Sequence, residues 1–210
     1  MKQETILMSL PYLPCIAWVQ HALTAEYILL EAQEHYTKQT YRNRTRILAA
    51  NGALNLNIPI LHQTGKQIIT QVETDANENW KHNHWQSIVS AYGNAAYFIY
   101  YRHYFETFFL GSNRVNLWEH NLGLLQVIFK ILKQPFRFEP TKNYEKGNNP
   151  LNDFRAAFNS KNSNPETELL FNKNYLQVFT GKFHFEPNLS ILDLIFNTGP
   201  DAERYLVRIG

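Results

Sequence analysis

Residues 5–30 read TILMSLPYLPCIAWVQHALTAEYILL, and this stretch sets the architecture of the chain. Its first part, residues 5–10, is a short apolar run that predicts a buried strand. Pro11 and Pro14 then predict a stiff turn, because each proline fixes its own φ and disfavours helix at the residue before it.

The second part of this stretch predicts a helix followed by another strand. Within residues 15–24, apolar side chains stand at Ile16, Val19 and Leu23, which is helical spacing. Residues 27–30 are a second apolar run. Strand, turn, helix and strand in this order predict a βαβ unit with a parallel pair of strands.

The rest of the chain changes from strand-like to helical patterns and back. Asn51-Gly52 is a turn signal, and the residues after it alternate between polar and apolar. The candidate strands are residues 55–60, 67–72 and 175–179, and the candidate helices are residues 80–92, 95–110 and 117–132. Residues 140–168 are rich in Asn, Pro, Ser and charge, which predicts a long surface loop. Residues 189–196 fit either a short helix or a strand.

These patterns predict one α/β domain over residues 1–210. We expect a βαβ opening, a mainly parallel sheet flanked by helices, and a helix-rich C-terminal half. The predicted parts are a βαβ-type part (1–75), a helical part (76–135), a surface loop (136–170) and a C-terminal part (171–210). A chain of 210 residues buries enough surface to fold without disulfides.

Composition excludes several classes of protein. The single cysteine, Cys15, rules out an internal disulfide framework and a cysteine-based zinc site, and it suits a reducing, cytoplasmic location. A net charge of +2, spread along the chain, is not the clustered basic footprint of a duplex nucleic-acid binder. No window approaches the roughly 20 apolar residues of a membrane helix. We therefore expect neither a nucleic-acid partner nor a membrane span.

The turn at residues 11–14 is the first candidate site. In open α/β sheets, ligands bind beyond the carboxyl ends of the strands, and the N-terminus of the next helix presents free N–H groups to an anion. Tyr12 would then line a pocket. The equally weighted alternative is a rigid loop in which Tyr12 is packed.

A basic segment at residues 34–46, EHYTKQTYRNRTR, is the second candidate site. In an extended chain Arg42, Arg44 and Arg46 would share one side, and such a row is costly without an anion. The alternative is a solvated edge, or a structural network in which Glu34 pairs with these cations.

Two further segments supply candidate catalytic groups. In residues 80–85, His82 and His84 point to different faces of a helix, so a shared metal is not expected and His84 alone could reach a site. In residues 188–200, a polar stripe at helical spacing runs through apolar sequence. The structural alternatives are packed tryptophans at the helix start and buried hydrogen bonds within the stripe.

From these segments we assign the candidate site residues. His84 and Asp193 are candidate general bases. Substrate or anion binding is assigned to Tyr12, Lys38, Arg42, Asn43, Arg44, Ser190 and Asn197. The chain has no P-loop, no G-x-G-x-x-G, no G-x-S-x-G and no H-E-x-x-H, so the sequence identifies no cofactor and no metal.

The four segments, taken in order, resemble the WbqC-like protein family over nearly the whole chain. The marks are Tyr12-Leu13-Pro14, the run from Lys38 to Arg44 with Ile47, Asn51-Gly52 and Pro59, the pattern Trp80, His84-Trp85, Ile88 and Ala91-Tyr92, and the run from Asn188 to Leu194 with Asn197 and Gly199-Pro200. The chain looks most like the branch found in Bacteroidetes-type bacteria. Other members often carry His-Gln-Pro before the Tyr-Leu-Pro turn. This chain has Met8, Ser9 and Leu10 there, so a reaction that needs that histidine is not expected.

The resemblance implies a role in modifying sugars. Members lie in gene clusters for O-antigen and other surface polysaccharides, and transfer of glycine or another acyl group onto a sugar has been suggested for them. For this chain the resemblance implies a bacterial, cytoplasmic transferase whose small-molecule substrate is anionic or nucleotide-linked.

Two other functions stay open. A non-catalytic binding or assembly protein of the polysaccharide machinery would use the aromatic stretch at residues 95–110 as its contact surface. Binding of single-stranded nucleic acid through tyrosines and arginines is the weaker alternative.

Overall fold

The computed structural model describes residues 3–62, 65–145, 152–158 and 173–207. The strands are β1 (Gln3–Met8), β2 (Ala25–Leu30), β3 (Arg44–Ala49), β4 (Gly52–Asn57) and β5 (Phe138–Pro140). The α-helices are α1 (Ile16–Thr24), α2 (Trp80–Tyr92), α3 (Phe98–Glu106), α4 (Leu117–Ile131), α5 (Ile191–Thr198) and α6 (Glu203–Leu206). Short 3-10 turns lie at Ile69–Gln71, Thr107–Phe109 and Gly199–Ala202.

A parallel sheet with the strand order β1-β2-β5 forms beside these helices. β1 and β2 pair in register up to their carboxyl ends, where Met8 lies beside Leu30. β2 pairs on its other side with β5, also in parallel. A parallel bridge between Leu7 and Asp153 adds a further segment at the outer edge of β1. The α/β class, the parallel sheet and the flanking helices are therefore confirmed.

Helix α1 connects β1 to β2 and is buried along most of its length. All residues from Ile16 to Ala22 are buried, as is typical of a helix covered on every side. The helix ends at Thr24, whose hydroxyl donates to the carbonyl of His21 over 2.7 Å, and β2 begins at the next residue. No loop separates α1 from β2, so the connecting loop of this βαβ unit is residues 9–15, between β1 and α1.

Strands β3 and β4 form an antiparallel hairpin separate from the parallel sheet. Gly52 has φ 107, a value that residues with a Cβ rarely adopt, which fits the predicted turn. In β3 the burial alternates, so that Thr45 and Ile47 are fully buried while Arg44 and Arg46 are half-buried. The two arginines of β3 therefore lie on one side of the strand, as the sequence predicts.

The C-terminal half is helical, as predicted. Helices α2 and α5 pack on β3, and α5 also contacts α1 and α3. Tyr92 of α2, Phe105 of α3 and Phe196 of α5 are all completely buried. Each buried phenylalanine contributes about 1.5–3 kcal/mol, so this aromatic junction anchors the helices to the hairpin.

Two predicted strands are wrong and one strand escaped prediction. Residues 67–72 make one isolated antiparallel bridge, between Ile68 and His35, and the chain then turns at Ile69–Gln71, so the pairing does not extend into a strand. Residues 175–179 form no strand in the described structure, since their side chains turn towards α5. The unpredicted strand is β5. Of the predicted loop at 140–168, residues 146–151 and 159–168 lie outside the described residues.

Candidate functional site

The turn at residues 11–14 is held by hydrogen bonds from two distant parts of the chain. The Leu13 carbonyl accepts from the Thr45 hydroxyl over 2.7 Å and from the Ser190 hydroxyl over 3.3 Å. Leu13 has φ 42, a left-handed conformation that costs about 1–2 kcal/mol for a residue with a Cβ. Tertiary hydrogen bonds therefore fix this turn in addition to its prolines.

The N-terminus of α1 is occupied by the protein itself. The N–H of Ala17 donates to Asn188 Oδ1 over 2.9 Å, and the N–H of Ile16 donates to the Leu189 carbonyl over 3.0 Å. Two of the N–H groups that the sequence predicts to be free for an anion therefore have acceptors within the protein, as in the alternative of a rigid, packed loop.

A cleft opens at the carboxyl end of β1. Its empty volume is about 240 Å³, including the open space at its mouth. Its walls are largely aromatic, and the side chains with polar groups are two hydroxyl residues, one tryptophan and two arginines. The lining residues are Ser9, Leu10, Pro11, Trp18, Tyr41, Arg42, Phe154, Arg155 and Phe158. Ligands of open α/β sheets bind at this edge, which makes the cleft the candidate functional site.

Arg42 is held in the cleft by a two-pronged ion pair with Glu34. Its Nε donates to Glu34 Oε1 over 2.7 Å and its Nη2 donates to Glu34 Oε2. Nη2 also donates to Ser9 Oγ over 2.6 Å, and that hydroxyl donates to Glu34 Oε2 over 3.1 Å. Within the described part of the chain, Nη1 has no hydrogen-bond partner. The pair therefore fixes the guanidinium and leaves one of its nitrogens for a ligand.

Arg155 forms a second ion-pair network on the opposite wall. Its Nη1 donates to the fully buried Glu31 over 2.8 Å, and its Nη2 donates to Asp153 over 2.6 Å. Burial alone would raise the pKa of Asp153, but hydrogen bonds from Arg155 hold that pKa below its usual value. Glu31 also accepts from the Thr141 hydroxyl over 2.6 Å. This network clamps the segment that carries Phe154 onto the sheet.

Cys15 lies behind Tyr41 and is not suited to nucleophilic chemistry. Burial raises the pKa of its thiol to about 11. Because the thiolate is the reactive form, little of it exists near neutral pH.

Tyr12 points away from the cleft into a buried basic cluster formed by Lys81, His84 and His120. The Asn57 carbonyl accepts from one ring nitrogen of His84, so the other, Nδ1, accepts from the Tyr12 hydroxyl over 2.9 Å. Tyr12 is completely buried and His84 is 5% exposed. His84, predicted as a base, is therefore a neutral acceptor inside the core.

Burial keeps the imidazole rings of His84 and His120 neutral. It lowers the pKa of His84 to about 4 and, together with the charge of Lys81, that of His120 to about 3. Both rings lie edge-on to Trp80, at centroid distances of 5.4 and 5.3 Å. His120 Nε2 has no partner among the described residues. The cluster and the cleft lie on either side of the turn, where the N–H of Tyr12 donates to the carbonyl of the cleft residue Tyr41 over 2.8 Å.

The predicted polar stripe of α5 makes local and structural hydrogen bonds. Asp193 is 1% exposed and accepts from Tyr175 Oη and from Gln177 Nε2, the latter over 2.9 Å. Burial raises the pKa of Asp193, although these donors partly counteract the rise. Ser190 caps the helix by accepting from Leu192 N–H, and Asn197 donates to the Asp193 carbonyl over 2.8 Å.

The remaining predicted residues lie outside the cleft and do not form a shared anion site. Lys38 is exposed in a turn, and Asn43 is buried with its amide donating to the Ile58 carbonyl over 3.0 Å. Arg44 donates to Asn57 Oδ1, and Arg46 pairs with Glu186 at 3.0 Å. The three guanidiniums of the basic segment thus have three different partners, which are the carboxylates of Glu34 and Glu186 and the neutral amide of Asn57.

Of the predicted site residues, Arg42 is the one that lines the cleft. Sequence reasoning missed its companions, which are Ser9, Trp18, Tyr41, Phe154 and Arg155. The sequence signal for this site is Glu34, a carboxylate eight residues before Arg42 that pairs with it in the cleft. The others come together only when β1, α1 and the segment at 152–158 are assembled.

Two negative findings concern the described ranges 3–62, 65–145, 152–158 and 173–207. No helix there combines the length and apolar content needed to cross a bilayer. No three His, Cys, Asp or Glu side chains there are grouped so that they could hold one metal ion.

The comparison with protein families decides the membership. The model of the WbqC-like protein family matches residues 11–157, a range that contains Tyr41, Arg42 and Arg155. The chain belongs to this family. This WbqC-like protein is similar to an uncharacterised protein of Mycobacterium tuberculosis, with 26% identity over 231 residues. The alignment covers 98% of each chain. No solved structure matches. The family match ends before residues 188–191, which the fold ties to the turn.

Proposed function

We propose that this WbqC-like protein is a transferase that modifies a sugar or nucleotide-linked sugar during synthesis of a bacterial surface polysaccharide, with acyl transfer as the reaction class. The observation that carries the proposal is the cleft at the carboxyl end of β1, where Arg42 presents a fixed guanidinium beside aromatic walls. Family membership supports the assignment, since the resemblance implies sugar modification.

The walls of the cleft suit a ring-shaped ligand. Trp18, Tyr41, Phe154 and Phe158 offer flat apolar surfaces, and rings of this kind combine packing area with few internal rotations. Arg42 supplies a hydrogen-bond donor at one end. A sugar ring has apolar C–H faces and polar hydroxyl edges, so both kinds of surface in the cleft would be used.

The cleft also holds a hydroxyl–carboxylate contact. Ser9 Oγ donates to Glu34 Oε2 over 3.1 Å. A substrate hydroxyl that replaced Ser9 at this position would face the same carboxylate. As the hydroxyl oxygen attacks the carbonyl carbon of an acyl donor, Glu34 would accept the hydroxyl proton, the bond between the acyl carbon and its carrier would break, and the carrier would leave with that electron pair and take up a proton. In this proposal Arg42 orients the substrate and Glu34 is the proton acceptor.

A thermal-shift screen tests the proposal. The panel holds sugars, nucleotide sugars, acyl donors and inorganic anions, and the variants are Arg42→Lys and its neighbour Arg44→Lys. Lysine keeps the charge but not the fork of the guanidinium. A ligand at 100 times its Kd stabilises by about 2.7 kcal/mol. We expect a shift with the wild type and Arg44→Lys that is lost in Arg42→Lys.

Two results would contradict the assignment. A shift that survives in Arg42→Lys would place the ligand elsewhere. A shift lost equally in both variants would show that the response does not depend on Arg42 in particular and so does not report binding in the cleft.

The outer face of α3 favours a second candidate, a binding or assembly role. Ile99 and Tyr100 of α3 are 66% and 64% exposed and Leu110, beyond the helix, is 61% exposed. Phe98, Phe105 and Phe109 are buried, so only a small part of the predicted aromatic surface is available to a partner. Replacing Ile99 and Tyr100 by serine should then abolish polysaccharide modification in cells without changing ligand shifts. Unchanged modification would remove this candidate.

A further inference from the structure

The charges that meet at the cleft do not favour a highly charged anion. Arg42 is paired with Glu34, and Arg155 is paired with both Glu31 and Asp153. Among the described residues in these two networks, three carboxylates therefore balance two guanidiniums. The two networks together therefore carry one net negative charge directly behind the two arginines that line the cleft.

The hydrogen-bonding capacity of the arginines is also limited. Arg155 uses Nε, Nη1 and Nη2 on its own carboxylates. Arg42 uses Nε and Nη2 on Glu34 and Ser9. The edge of the guanidinium formed by Nε and Nη2 is therefore occupied, and Nη1 remains for a ligand. A phosphate usually accepts hydrogen bonds from several donors at once, whereas a hydroxyl or one carboxylate oxygen can be bound by a single N–H donor.

The size of the cleft points in the same direction. Its empty volume of about 240 Å³ includes the open space at its mouth, so the enclosed part is smaller than this figure. One ring with its substituents fits this space better than a ring joined to a diphosphate and a nucleoside.

We infer that the cleft takes a neutral or singly negative ring, a sugar or a sugar acid, and rejects a phosphate dianion. The inference rests on the proposed function and narrows its substrate class. In a nucleotide-linked substrate, the sugar would enter the cleft while the diphosphate stays outside it.

Calorimetric titration of matched ligands tests the inference. Glucose, galactose and mannose are each used as the free sugar, the uronate and the 6-phosphate, with the wild type, Glu34→Gln and Glu73→Gln. Glu73 pairs with Arg114 on the surface, away from the cleft, and serves as the control. In at least one series we expect the phosphate to bind at least about tenfold more weakly than the uronate or the sugar. Removing the Glu34 charge should narrow that gap by about tenfold, and Glu73→Gln should not.

The outcomes separate the two proposals. Tighter binding of the 6-phosphates than of the sugars and uronates would overturn the inference while leaving a sugar-binding cleft. An equal effect of Glu34→Gln and Glu73→Gln would also overturn it. Failure of every ligand to bind the folded protein would overturn the proposed function, and the inference with it.

Discussion

The hydroxyl of Tyr12 donates to Nδ1 of His84 over 2.9 Å and so connects the N-terminal turn to helix α2. Both side chains are buried, and the ring of His120 stacks on Tyr12 at a centroid distance of 6.1 Å. The contact uses a neutral imidazole, and its strength therefore depends on that ring remaining unprotonated.

Tyr12→Phe should destabilise the protein by about 1–3 kcal/mol, because it leaves His84 Nδ1 buried without a donor. Urea unfolding measures the change. The double variant Tyr12→Phe/His84→Leu should cost less than the sum of the two single variants, since it removes both partners. Additive effects would show that the hydrogen bond contributes nothing.

Stability should fall on acidification through the two buried imidazoles. Both folded pKa values, about 4 for His84 and about 3 for His120, lie below the ordinary value of 6.5. The unfolded chain therefore binds protons first, so this stability is complete above pH 6.5 and is lost as pH falls towards 4.

His120→Phe isolates one of these protons. The slope of the unfolding free energy against pH reports how many protons are taken up on unfolding. The variant should reduce that number by about one between pH 4 and 6. It should also stabilise the protein by about 1 kcal/mol at pH 7, because an unpaired buried nitrogen is removed. His82→Gln, exposed on α2, is the control. An unchanged slope in His120→Phe would contradict the assigned pKa.

Asp193 should behave as a structural residue. Its folded pKa is raised, so its ionisation weakens the fold as pH rises, and Asp193→Asn removes that cost. We expect Asp193→Asn to change stability by less than about 1 kcal/mol and Asp193→Leu to cost about 2–4 kcal/mol, since Tyr175 and Gln177 lose their acceptor. A stable Asp193→Asn variant without any polysaccharide-modifying activity would instead support the predicted catalytic role.

Asn188 combines a left-handed backbone, with φ 53, and a side chain that accepts from the first turn of α1. Asn188→Gly loses the acceptor alone, while Asn188→Ala loses the acceptor and strains the backbone. The alanine variant should therefore be less stable than the glycine variant by about 1 kcal/mol. Equal melting temperatures would show that the backbone conformation is not strained in the alanine variant.

The sequence predicts the helices of this fold well and its strands unevenly. The helix predicted at 80–92 has the observed bounds, because Trp85, Ile88 and Tyr92 repeat with a helical period. β5 was missed, because three residues ending in proline carry too little pattern. Whether residues 67–72 form a strand depends on a free neighbouring edge, which local sequence does not encode.

The candidate site was less predictable than the fold. Arg42 stood out by its charge, and its position in the cleft follows from the turn that precedes β3. Phe154 and Arg155 lie in a segment that composition describes as loop, and they reach the cleft only because Leu7 and Asp153 bridge two parallel segments. Sequence-distant pairing of this kind leaves no periodic signal.

The bond from Ser190 to the Leu13 carbonyl spans 177 residues of sequence. At about 5–20 residues per second, a ribosome needs roughly 10–35 s to make that interval. Until then the first turn of the nascent chain lacks the donor that helps to hold Leu13. During most of translation only the Thr45 hydroxyl can bond to this carbonyl, and the N-terminus of α5 adds the second bond when the chain is almost complete.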